Sequence, residues 1–128
     1  MLYEIALADE DTWSDPNQPL GTATQRGVVN TDSNPATICS NGDGGNQLLI
    51  VSGNNGYSYD LTTNTLTLEV SGALMGGFLI GYGLVLDADT STLKWSDLED
   101  MTTWPGGNFA QRNLAADRWV AMFVLHGD

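Results

Sequence analysis

Leu93-Lys94-Trp95-Ser96-Asp97-Leu98-Glu99-Asp100-Met101-Thr102-Thr103-Trp104 decides the fold class. The stretch reads as a short strand carrying Trp95, a tight acidic loop, and a second tryptophan held by Pro105. A polar turn that brings a large indole back over the preceding strand needs Asp and Ser side chains to satisfy its own main-chain amides. Helices have no use for that arrangement. The stretch therefore predicts a repeated all-β unit in which Ser96, Asp97, Asp100, Thr103 and Trp104 form a structural loop.

The residues upstream carry the same signal. Positions 48–52 form an apolar strand, and Gly53-Asn54-Asn55-Gly56 a tight hairpin connection, with Asn55 and Gly56 as turn residues because Asn and Gly accept positive φ. Positions 57–60 return. Positions 65–70 alternate, which puts Leu66, Leu68 and Val70 on one face and Thr65, Thr67 and Glu69 on the other. Positions 77–87 give a strand pair or one long bent strand, with Gly81 and Gly83 marking a bulge or a close backbone approach. Positions 93–96 and 119–125 complete the strands. The first 45 residues hold three of the four prolines and many Asn, Asp and Thr, and read as a loop-rich segment with one short alternating strand near the start.

An internal echo runs through this region. Tyr59-Asp60-Leu61-Thr62-Thr63-Asn64-Thr65-Leu66 matches Leu86-Asp87-Ala88-Asp89-Thr90-Ser91-Thr92-Leu93 at an offset of 27 residues. Asp60 and Asp87 are the expected turn caps, each followed by a Thr-Leu that opens the next strand. The offset is shorter than the roughly 40–45 residues of a four-stranded propeller blade, so it marks successive hairpins.

Composition bounds function. The chain has 128 residues, and its sixteen Asp and Glu against four Lys and Arg give a formal net charge of −12. Arg26, Lys94, Arg112 and Arg118 are scattered singly, which excludes a phosphate-binding basic patch. The acidic surface keeps a Gly- and Thr-rich β protein soluble and discourages edge pairing. Cys39 is the single cysteine, so the chain has no internal disulfide, and a small semi-buried side chain is the expected role for it. The opening residues lack the basic start of a signal peptide. The uncharged run 71–86 carries five glycines and falls short of the roughly 20 apolar residues of a membrane-spanning helix. No membrane association is expected.

Candidate chemistry is thin. His126 is the single histidine, with no Ser or Cys placed locally as a nucleophile, and reads as a surface residue. Asp87, Asp89 and Ser91 imitate the first ligands of a calcium loop, but Thr92 stands where that loop needs Gly and Leu98 where it needs Glu. Glu99 and Asp100 are adjacent acids in a loop, a spacing that says nothing about catalysis across a sugar. No enzyme activity, metal or cofactor is expected.

The 96–104 loop is similar to the Asp-box of sialidase-like propellers, Ser-x-Asp-x-Gly-x-Thr-Trp, with Met101 in the place of Gly and Glu99 in the place of Asp. In those proteins the box is structural and pins a hairpin away from the catalytic site. A closer resemblance rests on Gly-Tyr-Ser-Tyr-Asp-Leu-Thr-Thr-Asn-Thr-Leu at 56–66, the glycine-rich strand ending at Leu86-Asp87, Trp95-Ser96-Asp97-Leu98-Glu99-Asp100 with Thr102-Thr103-Trp104, Asn108-Phe109-Ala110, and 119–127. Together these resemble the tail-hub proteins of short-tailed bacteriophages, also called packaged-DNA stabilisation or head-completion proteins. Met101 again replaces a family Gly, and Asn108 stands where the family often has Asp.

The resemblance covers residues 46–128. It implies β-propeller blades there, about two to three of them in antiparallel sheets, and hence a partial propeller belonging to a larger hub. It also implies a virion protein assembled in the host cytoplasm as a homo-oligomeric ring, in contact with portal, adaptor and tail-needle proteins, which helps close the DNA channel. Some of the acidic side chains would then face the DNA passage without binding it. The alternative is a carbohydrate-binding β module or sialidase-like propeller, with Trp13, Trp95, Trp104 or Tyr57 stacking on sugar rings. Aromatic residues in β loops more often serve as core, because burying an indole removes so much apolar surface from water.

Overall fold

A computed structural model describes residues 1–8, 21–42, 44–112 and 117–125. Trp13 and His126 lie outside the described residues. These residues form ten strands and no helix: β1 Leu2–Leu7, β2 Gly21–Gly27, β3 Thr37–Ser40, β4 Gln47–Ser52, β5 Asn55–Asp60, β6 Thr65–Ser71, β7 Ala73–Leu79, β8 Tyr82–Asp87, β9 Thr92–Trp95 and β10 Phe109–Gln111. All pairings are antiparallel. β1 and β2 make a two-stranded ribbon, β3-β4-β5-β6 a four-stranded meander, and β7-β8-β9-β10 a second four-stranded meander. The all-β expectation holds, and the sheets do not close on themselves.

The meanders lie face to face, with β7 packed across β3, β4 and β5. The period-two pleat of β4 divides its apolar side chains between two clusters. Leu49 and Val51 point toward the second meander and pack with Val70, Ala73, Val85 and Met101, flanked by Cys39, Phe78 and Trp104. Ile50 points the other way and packs with Tyr57 and Tyr59, flanked by Leu2, Val29, Leu48 and Leu66. The first meander is thus the central layer, with the second meander on one face and the base of the β1–β2 ribbon against the other. Close approach of the two meanders depends on Gly76: a Cβ there would stand 2.7 Å from Val51 Cγ2. Its N–H donates to Thr37 Oγ1 at 2.8 Å, which stitches β7 to β3.

Four sequence expectations need correction. The first 45 residues contain three strands, not one, and because β3 pairs with β4 the first meander crosses the expected boundary at residue 45. The β4–β5 reversal turns on Gly53 and Asn54 (φ 56° and 61°), so Asn55 and Gly56 are the first residues of β5, not turn residues. Leu66 and Val70 do not share a face. A bulge pairs Gly56 with Val70 and Tyr57 with Leu68, so Glu69 is the extra residue and the alternation inverts there. Residues 119–125 form no strand and join no ladder among the described residues. Their β-branched and aromatic content favours a strand, but a strand also requires a neighbour.

The 27-residue echo is structural. It carries β4-β5-β6 onto β7-β8-β9 and superimposes the turn Gly53-Asn54 on Ile80-Gly81, where both residues again have positive φ (48° and 85°). Two positive-φ residues in succession form the hairpin turn whose twist matches the flanking strands.

Candidate functional site

Ser96, Asp97, Asp100, Thr103 and Trp104 converge in one loop after β9. Ser96 is fully buried. Its hydroxyl accepts from Gly83 N–H at 2.9 Å and donates to the Asp97 carbonyl at 2.8 Å. The Asp97 N–H donates to the Thr103 carbonyl at 2.8 Å, which closes the loop. Asp100 acts as the cap: Oδ1 accepts from Thr102 N–H at 2.9 Å and Thr102 Oγ1 at 2.7 Å, and Oδ2 accepts from Thr103 Oγ1 at 2.8 Å. Burial would raise the Asp100 carboxyl, but the bonds from Thr102, Thr103 and Gln47 outweigh it and hold the group below the ordinary carboxylate value. The Trp104 indole N–H donates to the Met101 carbonyl at 2.8 Å, so the ring folds back over the turn.

Met101 explains the departure from a box glycine. Its side chain is fully buried and fills the core between the meanders, where Gly83 passes close by. The loop is also fastened to the other sheet. Gln47 Oε1 accepts from Met101 N–H at 2.8 Å and from Asn41 Nδ2 at 3.0 Å, and the same Asn41 amide donates to the Glu99 carbonyl at 3.1 Å. Asn41 is 3% exposed, a buried amide with its partners in place. Sequence reading missed Asn41 and Gln47, since the loop partners they bind, Glu99 and Met101, lie more than 50 positions away.

The two expected turn caps differ. Asp60 Oδ1 accepts from Thr62 N–H and Thr63 N–H, each at 2.8 Å, and the Thr63 and Thr62 bonds lower its carboxyl pKa. Asp87 forms no such cap; its carboxylate pairs with Lys94 Nζ at 2.7 Å across β8 and β9. The 88–91 turn instead carries its positive φ at Asp89.

Beside the loop, a crevice of about 290 Å³ opens between β6 and β9–β10, lined by Glu69, Lys94, Trp104, Asn108 and Phe109 among others. Glu69 Oε1 accepts from Ser58 Oγ at 2.6 Å, and Lys94 is held by Asp87, so both ionic groups already have partners. Tyr57 Oη is likewise engaged, accepting from Asn30 N–H at 3.0 Å. Trp95 stands with Leu79, Tyr82 and Leu84 along an apolar hollow. Burial pushes the Cys39 thiol up to about 11. Among the described residues, no group of three His, Cys, Asp or Glu side chains converges as a metal site. The constellation at the loop is a staple between sheets: every polar group named in it bonds to the loop itself or to the neighbouring meander.

No protein-family model, curated protein or solved structure matches the chain.

Proposed function

We propose that the protein is a non-enzymatic structural component of a bacteriophage portal–tail hub, built from propeller-type blades that act through their surfaces. The observation that carries this reading is the pair of four-stranded antiparallel meanders stacked face to face and stapled by the Ser96–Trp104 loop. Stacked meanders are the building plan of a propeller. The Ser96 hydroxyl is occupied by two main-chain bonds, which supports a structural role for the loop. The tail-hub resemblance supplies the setting: a ring of copies beneath the portal and adaptor, near the tail needle, in the assembled virion. With a net charge of −12, such a ring repels a passing phosphate backbone and does not grip it.

Chemical cross-linking of purified virions followed by mass spectrometry tests this. Cross-links from this chain to portal or adaptor subunits are expected. Particles that retain their DNA and lack the chain altogether overturn the reading.

The second reading, a saccharide-binding β module, is favoured by one feature: the crevice where Trp104 and Phe109 sit beside Asn108 and Glu69. Phe109 is 52% exposed, which leaves a ring face open for stacking. Glycan-array binding that disappears in Phe109→Ala with the fold intact would place this reading first.

A further inference from the structure

The layered body has an incomplete β element at each end. On one side, the β1–β2 ribbon is anchored at its base, where Leu2 joins the tyrosine cluster and a Cβ on Gly27 would stand 2.5 Å from Leu66 Cδ2. β2 touches β6, whereas β1 has no second strand beside it among the described residues. Tyr3, Ile5 and Leu7 share one face of β1 and are 51%, 66% and 71% exposed.

On the other side, residues 119–125 lie against the outward face of the second meander at β7. Met122 and Val124 point inward: a Cβ on Gly77 would stand 3.1 Å from Val124 Cγ2 and 3.2 Å from Met122 Cε. Val120, Phe123 and Leu125 are 78%, 82% and 84% exposed. Within this run, the main-chain bonds among the described residues are Trp119 N–H to the Thr90 carbonyl at 3.0 Å and Met122 N–H to Met75 Sδ at 3.1 Å. It joins no ladder among the described residues, and main-chain groups outside a ladder beside exposed apolar side chains are a template for strand addition.

We infer that residues 119–125 of one copy pair with the outer edge of β1 in a second copy, the edge opposite β2, head to tail. The joined ribbon and strand would form a further sheet between the second meander of one copy and the first meander of the next, repeating the layering within each copy. Charge supports a second copy as the occupant. In a chain of net charge −12, residues 119–125 carry no charged side chain, and on the ribbon Glu4 is neutralised by Arg26 at 2.7 Å. Along β1 and residues 119–125 themselves, copies of this acidic chain can therefore meet without like-charge repulsion. A heterologous contact of this kind generates a ring when its rotation closes. Closure rests on the ring assembly proposed above; the head-to-tail contact itself does not.

The test is mass measurement of the full chain at about 100 μM, a concentration that populates a micromolar contact. Wild type is expected above the 13.7 kDa monomer mass, and Ile5→Lys and Phe123→Lys each at the monomer mass. Each variant keeps one intact end, so mixing them is expected to yield a one-to-one dimer and nothing larger. Hydrogen exchange at β1 amides should slow in that dimer. Both side chains are exposed, and an unchanged far-ultraviolet circular dichroism spectrum reports an intact fold; Leu7→Lys and Leu125→Lys replace either variant that fails it. A monomeric wild type, variants that keep the wild-type mass, or a mixture that stays monomeric each overturns the contact. The portal assignment is judged separately by virion cross-linking, so either idea can fail alone.

Discussion

Truncating Met101 tests the reading of the 96–104 loop as a staple with its plug in the core. The side chain is fully buried among Leu49, Val51, Val70, Ala73 and Val85. Met101→Ala removes three groups beyond Cβ, which forfeits roughly 2.4 kcal/mol at about 0.8 kcal/mol per buried group. A residual cavity of about 60 Å³ adds ~1.4 kcal/mol at roughly 24 cal/mol per Å³. Partial collapse of the site brings the expected loss to about 3 kcal/mol, within the usual range for such truncations. In urea, with a slope of about 1.5 kcal/mol per M, the unfolding midpoint falls by roughly 2 M. Leu61→Ala, at a turn position 48% exposed, serves as the reference and changes stability by less than about 0.5 kcal/mol. A Met101→Ala midpoint within about 0.3 M of wild type at unchanged slope would show that the side chain does not bridge the sheets.

Three further outcomes follow from the same structure. Ile80 holds φ 48° in the β7–β8 turn with its side chain 82% exposed, a conformation that costs a β-branched residue about 1 kcal/mol or more; Ile80→Asn should raise the melting temperature by roughly 3 °C in calorimetry, and no change or a decrease would refute strain at this turn. Asp100 has a folded pKa below its ordinary value of 3.8, so its contribution is complete above that value and is lost as pH falls through the folded pKa. Asp100→Asn should therefore be less stable than wild type at neutral pH, with the gap closing in acid; a gap independent of pH in denaturant titrations would remove the carboxylate from the argument. Cys39, with its pKa raised to about 11, should resist alkylation at pH 8 in the native state and react readily once unfolded, and equal rates in both states would place the thiol outside its apolar setting.

What the sequence disclosed follows the range of each interaction. The loop residues 96–104 bond largely within the loop, and Asp60 caps a turn two and three residues on, so residue type and spacing were enough to locate them. Asp87 matched the same local pattern and took a cross-strand partner, Lys94, because a lysine stands opposite Val85 on the adjacent strand while no lysine flanks Asp60 in β6. Contacts that join the two meanders are invisible locally. Nothing around Asn41 or Gln47 announces partners at Glu99 and Met101. The inverted face of Val70 was hidden for a related reason: a bulge is a property of two strands, and the alternation of β6 alone is unbroken. The strand β10 escaped notice because Phe109–Gln111 is three residues long and all exposed, so burial leaves no periodic trace.

The repeat and the sheets keep different registers, and the mismatch bears on assembly. The echo repeats β4-β5-β6 as β7-β8-β9 at 27 residues, whereas the sheets step from Thr37 to Ala73, about 36 residues. Each meander is therefore a three-strand repeat plus one strand recruited from outside it. The first takes β3 on the β4 edge, and the second takes β10 on the opposite edge, beside β9. Because the recruited strands sit on opposite edges, a three-strand unit does not require its fourth strand from a fixed place in the chain. The two-stranded ribbon β1–β2 and the run 119–125 extend the same logic: neither makes a four-stranded sheet alone, and in the head-to-tail contact inferred above they would supply three strands of one. An edge completed from wherever a strand is available is suited to completion by a neighbouring molecule, which is how a chain of stacked meanders becomes a continuous assembly.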